Sequence, residues 1–263
     1  PGLLARDNAT RNPSRTASTA SALMIGLALV TFVAIFSAGI FKSFEDAVDE
    51  LFIADYAVTA TNTFTGVDVA VGKSLVGKPG VSDVTPIRQG SGHFLGSDRD
   101  ISGVQSNVAT GVKLDWRTGG PSVPSKMGKD GFFTNTDLAK KHHLKVGSTV
   151  VLEFPSGQKR TVKLKGTYKE PNGGSPFGDA TISTQLFDKE IPRPKDLMVL
   201  IRTPDGVSDA NTATLEDNVK PFADAKVQTR GEFKDNFLAP VKKIINLLYA
   251  LLALAVIVSL VGI

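Results

Sequence analysis

The chain has no cysteine, which excludes disulfide bonds and thiolate metal sites from its structure and chemistry. Histidine is also scarce, with three in the whole sequence. His142 and His143 are adjacent, and because neighbouring residues of a helix point about 100° apart, they do not readily share a metal ion. His93 stands apart from them in a glycine-rich segment. We therefore predict no metal site and no cofactor.

Signatures of catalysis are lacking as well. There is no Gly-x-Ser-x-Gly motif to present a nucleophilic serine. The paired glycines Gly173 and Gly174 are not followed by the Lys-Ser or Lys-Thr of a phosphate-binding loop. The acidic residues between 45 and 50 are typical of a solvated helix face rather than of an acid–base pair. The sequence thus predicts no catalytic residues and a chain that is not an enzyme.

Charged residues are missing from two long stretches, 20–41 and 244–263. A helix rises about 1.5 Å per residue, so roughly 20 apolar residues cross the hydrocarbon core of a bilayer. We predict a transmembrane helix at each stretch. The chain begins with Pro1 and ends inside the second stretch, and we interpret it as a fragment of a longer membrane protein, either its first or its second half.

Small residues recur four apart in both predicted spans, a spacing that lets a neighbouring helix approach closely in lipid. We predict helix packing at these positions: Ala22, Gly26, Ala34, Ala38, Ala255 and Ser259.

The formal net charge of +4 is concentrated at the predicted membrane edges. Three arginines and one aspartate precede the first span, and Lys242 and Lys243 precede the second. By the positive-inside rule, residues 1–19 are expected in the cytoplasm and residues 42–240 outside it, although the two lysines on the outer side run against the rule. No lysine- or arginine-rich run with interleaved aromatic residues is present, so no nucleic-acid partner is predicted.

Apolar residues continue at helical spacing beyond the first span, with acidic residues between them. The pattern predicts that the membrane helix runs on as an amphipathic stalk, with Phe44, Val48 and Phe52 on its apolar face. Segment 231–246 is similarly predicted to be a helix leading into the second span. We expect the outer domain to be joined to the membrane by two helical stalks.

The outer domain begins and ends with a predicted βαβ unit. The first consists of strands at 56–61 and 81–87 around a helix at 67–76, and the second of strands at 197–202 and 226–229. Its helix is expected to start after Ser208 as N-cap and to reach about Val219. Two such units can form one antiparallel sheet with both helices on one face, the split βαβ arrangement.

Between these units the sequence predicts an inserted, mostly β lobe at about 105–196. Segment 103–131 is rich in Gly, Ser and Pro and is predicted to be an irregular connection. A helix is expected to begin at Asn135 and to end at Gly147, followed by a hairpin of strands 149–154 and 160–168. The predicted fold class is an α+β extracytoplasmic domain flanked by two transmembrane α-helices.

The run LLARDNATRNPSRTASTASALMIGLALV resembles the start of a transmembrane unit in FtsX-like permeases of ABC transporters. The segment DGFFTNTDLAKKHHLKVGSTVVLEFPSGQKRTVKLKGTY is similar to the MacB-like periplasmic core domain. The resemblance implies that the two βαβ units form a porter-like lobe. It also implies a multi-pass cell-membrane protein that contacts lipid and a cytoplasmic ABC ATPase subunit, as a dimeric permease or a two-copy pseudo-dimer.

The function implied by this resemblance couples ATP hydrolysis on the partner to movement of the extracytoplasmic domain, for export or extraction of substrates or for control of outer partners. The resemblance implies that this movement passes through the spans and stalks, and the residues expected to couple it are Phe44, Val48 and Phe52. The alternative is a two-span membrane receptor whose extracytoplasmic domain is a ligand-binding sensor. A third interpretation, a surface-anchored adhesion module, needs only one anchor, and the second span argues against it.

Overall fold

A computed structural model of the chain describes residues 13–62 and 65–261. It divides into two compact units, one containing the helical segments up to Ser43 and from Phe237 onward, and the other spanning Phe44–Asn236. We call the second unit the outer domain. Helix α1 (Pro13–Leu51) and helix α7 (Arg230–Val261) are each divided between the two units.

The membrane-type segments of α1 and α7 are long and apolar enough to cross a bilayer. Most of their large apolar side chains are exposed, Phe32 and Leu247 among them. The hydroxyl of Thr31 donates to the carbonyl of Leu27, one turn earlier, at 2.9 Å. Such a bond satisfies a polar group within the helix, where lipid cannot do so.

Within its described residues, 44–62 and 65–236, the outer domain contains five further α-helices and eleven strands. The strands are β1 (Tyr56–Ala60), β2 (Val67–Asp68), β3 (Asp83–Phe94), β4 (Ser97–Val104), β5 (Asp115–Thr118), β6 (Gly131–Asn135), β7 (Thr149–Glu153), β8 (Lys159–Lys169), β9 (Ala180–Ser183), β10 (Lys195–Arg202) and β11 (Ala225–Thr229). The helices are α2 (Val69–Leu75), α3 (Val123–Lys126), α4 (Thr136–Lys141), α5 (Thr184–Glu190) and α6 (Asp209–Val219).

Strands β11, β1, β10 and the first half of β3 lie side by side in that order, each antiparallel to its neighbour. Strand β10 therefore lies between β1 and β3, and β1 lies between β10 and β11. The predicted split βαβ arrangement is confirmed. The side chain of Ser208 accepts from the backbone N–H of Asn211, as an N-cap does, and α6 ends at Val219 as predicted. We call these strands, with β2, α2 and α6, the sheet lobe.

The remaining strands form a closed ring in the order β3, β4, β9, β6, β8, β7 and back to β3. The last pairing joins His93 and Phe94 of β3 to Glu153 and Leu152 of β7. Closure leaves no free edge in the ring, and β5 is added outside it against β8. We call this ring, with β5 and α3–α5, the barrel lobe. It includes most of the predicted inserted lobe, 105–196, together with β4 and the second half of β3, whereas Lys195 and Asp196 begin β10 of the sheet lobe. The boundaries predicted for the inserted lobe stay a proposal.

The prediction of an irregular connection at 103–131 is wrong. The segment contains the end of β4, a 3-10 turn, β5 and α3. Some of its glycines lie in strands and not in loops. A Cβ on Gly103 would lie 2.7 Å from the ring of Phe187, so only glycine leaves room for α5 to pack on the strand. The same ring restricts Gly90 in β3, a strand that extends to Phe94 instead of ending at Ile87.

The helix predicted to reach Gly147 is also too long. Helix α4 ends at Lys141, and His143 has a φ of 53°, in the left-handed region that stops a helix. The hairpin that follows is confirmed, with β7 and β8 paired in register from Thr149–Lys163 to Glu153–Lys159.

Three clusters of buried side chains form the core. One lies between the sheet lobe and its helices α2 and α6, and contains Tyr56, Leu75 and Leu215. A second fills the barrel around Phe94, Phe132 and Phe187. The third, which we call the junction cluster, contains residues from α1, α7, the sheet lobe and the barrel lobe together.

Candidate functional site: the bases of the two stalk helices

The base of α1 is embedded in the outer domain. Val48, Leu51 and Phe52 are buried at 3%, 3% and 5% exposure, and Phe44 is half-buried one turn earlier. The end of the helix is also held by hydrogen bonds, since the backbone N–H of Lys113 donates to the carbonyl of Leu51 at 2.7 Å. This carbonyl has no partner within the helix, so the barrel lobe satisfies it.

The base of α7 begins with a capping box. The N–H of Thr229 donates to Oε2 of Glu232 at 2.8 Å, and the N–H of Glu232 donates back to the hydroxyl of Thr229 at 3.2 Å. Reciprocal bonds of this kind satisfy two donors that a helix start otherwise leaves free. The cap fixes where α7 leaves strand β11.

The two bases are fastened to each other by apolar and polar contacts. The ring of Phe233 in α7 lies 5.7 Å from that of Phe52 and 6.4 Å from that of Phe44, between ring centroids. Nζ of Lys234 lies 2.9 Å and 3.1 Å from the carboxylate oxygens of Asp49.

Arg230 adds a third link, because its Nη1 donates to the carbonyl of Phe52 at 2.8 Å, directly after the end of α1. A cation at a helix C-terminus also complements the helix dipole. Arg230 opens α7, so one side chain joins the end of the first stalk to the start of the second.

A chain of side-chain hydrogen bonds ties α7 to the sheet. Nδ2 of Asn236 donates to Oε1 of Gln228 at 2.7 Å, and Nε2 of Gln228 donates to the hydroxyl of Thr59 at 2.6 Å. Gln228 is buried in the edge strand β11, where a polar side chain needs such partners.

The junction cluster carries these contacts into both lobes. Val48, Phe52 and Phe233 belong to the same cluster as Ala57 and Leu200 of the sheet lobe. From the barrel lobe the cluster includes Met127, Phe133, Tyr168 and Phe177. Phe133 makes edge contacts with the rings of Trp116, Tyr168 and Phe177, with centroids 5.2 to 5.9 Å apart. Burial raises the pKa of Tyr168, whose hydroxyl pairs with that of Ser175 at 2.9 Å.

The structure brings Phe44 and Val48 of α1, and Phe52 directly after its end, together at the junction cluster in the domain core. Their role in coupling stays a prediction. Of the predicted packing residues of the spans, Gly26 and Ala34 are half-buried and Ala38 is exposed. The side chains of Ala22, Ala255 and Ser259 lie outside the described part of the structure, and packing at all six positions stays a prediction.

Sequence reasoning did not identify the residues of α7 that meet α1, namely Arg230, Phe233 and Lys234. The capping box was detectable, because Thr229 and Glu232 have the Thr-x-x-Glu spacing before an apolar run. The pairing of Lys234 with Asp49 could not be predicted, since the two residues are 185 positions apart and nothing in the sequence pattern links them.

Other polar groups of the outer domain are dispersed. His93 pairs with Asp98 at 3.0 Å in an exposed hairpin, beside an open cleft of about 540 Å³ that Glu153 also lines. His142 lies 3.5 Å from Arg99, and His143 is exposed. Within residues 13–62 and 65–261, no three His, Cys, Asp or Glu side chains come together as metal ligands.

The family model for the MacB-like periplasmic core domain matches residues 16–217. No curated protein sequence matches the chain.

Three solved structures are similar in fold at low identity. The periplasmic region of MacB from Actinobacillus actinomycetemcomitans is 12% identical, with a TM-score of 0.49 over 72% of this chain and 95% of that one. A domain of a putative permease protein from Porphyromonas gingivalis is 16% identical, with a TM-score of 0.48 over 70% of this chain and 90% of that one. The extracellular domain of the noncanonic ABC-type transporter YknZ from Gram-positive bacteria is 17% identical, with a TM-score of 0.47 over 66% of this chain and 98% of that one.

Proposed function

The chain belongs to the family of MacB-like periplasmic core domains, which are components of ABC transporter permeases, and from that premise we propose that it is a membrane permease subunit whose outer domain is moved by a cytoplasmic ATPase. ATP hydrolysis then takes place on a separate subunit, and this chain carries no catalytic step. Its outer domain acts on exported or extracted substrates, or on partners outside the cytoplasm.

The observation that carries the proposal is the fastening of the two stalk bases to each other and to the core. Phe44, Phe52 and Phe233 pack together, and Arg230 and Lys234 add polar links to α1. Protein interiors are close-packed and transmit displacement, because a buried side chain cannot move without its neighbours. Movement of either helix therefore passes to the outer domain as movement of one body.

We further propose a multi-pass protein of the cell membrane, with the outer domain extracytoplasmic and the permease acting as a dimer or a two-copy pseudo-dimer. The family and the two candidate spans support this arrangement. The boundaries at 20–41, 42–240 and 244–263 are part of the same proposal.

The test weakens and then restores the contact between the stalk bases. In Phe233→Ala the buried ring that touches Phe44 and Phe52 is lost, and we expect export to fall while the purified complex still assembles and hydrolyses ATP. Adding Asp49→Cys and Lys234→Cys places thiols where an ion pair now holds the two helices. Their cross-link is expected to restore export, and reduction to abolish it again.

Phe222→Ala is the matched control, since this phenylalanine packs against the cluster on the opposite face of the sheet. It is expected to leave export and ATP hydrolysis coupled. Export that is unchanged in Phe233→Ala, or blocked by the cross-link, would show that the bases do not transmit movement as one body.

A further inference from the structure

The chain crosses between the sheet lobe and the barrel lobe at one place. Strand β3 leaves the sheet lobe after Arg88 and continues into the barrel, and β10 returns from the barrel at Lys195. Arg88 and Asp196 are direct partners across these two strands. The register shifts between Asp196 and Met198, an irregularity of the kind that β-bulges introduce where a strand bends.

Arg88 and Asp196 are both buried, at 4% and 0% exposure. Nε of Arg88 lies 3.6 Å from Oδ1 of Asp196 in the sheet lobe and 2.9 Å from Oδ1 of Asp188. Asp188 is part of helix α5, which packs on the barrel through Leu186 and Phe187. A single guanidinium thus lies between one carboxylate of each lobe.

This arrangement is costly for the folded state. Neither carboxylate oxygen of Asp196 has a hydrogen-bond partner within the described residues, and Nε and Nη1 of Arg88 have none either. The 2.9 Å contact between Arg88 and Asp188 is therefore a close ion pair without the geometry of a hydrogen bond. A buried charge that lacks hydrogen bonds lowers stability, and a well-packed apolar pair in its place is often neutral or stabilising. Burial raises the pKa of Asp196 to about 6, against the opposing effect of Arg88, with smaller effects from Asp188, Asp68 and Lys73. A gain in stability therefore does not explain these residues.

We propose that Arg88 is a positioning residue that holds the barrel lobe in one orientation on the sheet lobe by pairing with Asp188 and Asp196 together. One buried cation that must stay close to a carboxylate of each lobe restricts the orientation of the lobes, where apolar contacts would accept several. The inference rests on the proposed function in one respect. Movement of the stalk helices reaches the barrel lobe in full only if the barrel lobe and the sheet lobe keep a fixed angle.

The experiment measures the distance between the lobes in the full chain, purified in detergent without any ATPase. Spin labels are attached at Lys226→Cys in β11 and Lys163→Cys in β8, which are exposed positions in the sheet lobe and the barrel lobe. The chain has no native cysteine to interfere. We expect one narrow distance distribution in the otherwise unchanged chain, and a shifted or broadened one in Arg88→Met.

Arg160→Met is the matched control. Arg160 pairs at 2.8 Å with Glu190, a buried carboxylate on the same helix α5, but both partners belong to the barrel lobe. The distance between the lobes is expected to be unchanged in this variant. Folding of every variant is checked by the fluorescence of Trp116, the only tryptophan of the chain.

If Arg88→Met does not fold, Asp188→Asn tests the proposal in its place. Asp188 is partly exposed, so its substitution removes the 2.9 Å pair with little risk to the core. A shifted or broadened distribution in Asp188→Asn supports the proposal. If Arg88→Met folds and its distance distribution is unchanged, the proposal is overturned. If only Asp188→Asn folds, an unchanged distance distribution in that variant overturns it. Because no ATPase or substrate is present, neither result depends on whether the chain couples ATP hydrolysis to export.

Discussion

Burial and charge oppose each other most strongly at Asp196. Its pKa is raised to about 6, so between pH 6 and the ordinary value near 4 the folded state holds a proton that the unfolded state has released. Protonation of Asp196 therefore stabilises the folded state as the pH falls from about 6 toward 4, and this stabilisation is lost as the pH rises through 6. In Asp196→Asn we expect the free energy of unfolding at pH 7.5 to increase by about 1–3 kcal/mol, with a smaller dependence on pH between 7.5 and 5.

Urea unfolding of the full chain in detergent, followed by the fluorescence of Trp116, measures this difference. Asp217→Asn serves as the control, since this residue is exposed on α6 and its substitution should leave the free energy of unfolding at pH 7.5 unchanged. A less stable Asp196→Asn chain at pH 7.5 would show that the ionised carboxylate is a net gain. Sequence reasoning could not identify Asp196, because a charge before the apolar run 197–201 looks like an ordinary strand end.

Elements with strong local signals were predictable, and elements defined by distant partners were not. Helix α6 has its cap at Ser208, and β1 contains the strand-favouring residues Tyr56, Val58 and Thr59, so both were predicted within a residue or two. Strand β4 was missed because its alternation is hidden by Gly103 and by exposed charges such as Asp100. The glycine is explained only by Phe187, 84 residues later in the sequence.

Among the elements, α1 gives the sharpest test of mechanical continuity. Val48 lies in its last turns, and Val48→Pro removes a backbone hydrogen bond and clashes with the preceding turn, at a cost of about 3 kcal/mol. We expect export to be lost while assembly and ATP hydrolysis persist. Val48→Ala removes the same buried side chain and keeps the helix, so it should retain much of the export. Equal losses in the two variants would assign the effect to packing instead of to helix continuity.

At the scale of the whole molecule, the sequence predicted the two candidate spans, the continuous stalks and the split βαβ lobe. The closed barrel was not predictable, because ring closure depends on the pairing of β3 with β7 through His93 and Phe94, which no local pattern encodes. The junction cluster was likewise hidden, since Phe52, Phe133 and Phe233 meet only in the folded domain.

The last prediction concerns the orientation of the whole chain in the membrane. Arginines precede the first span and acidic residues follow it, so residues 1–19 are expected in the cytoplasm and the outer domain on the other side. The absence of cysteine makes a direct test available, with Ser14→Cys before the span and Ser156→Cys in the exposed turn between β7 and β8. A membrane-impermeant thiol reagent applied to intact cells should label Ser156→Cys alone, and both variants after the cells are lysed. Labelling of Ser14→Cys in intact cells, with Ser156→Cys protected, would reverse the topology and remove the outer domain from the compartment in which its proposed partners lie.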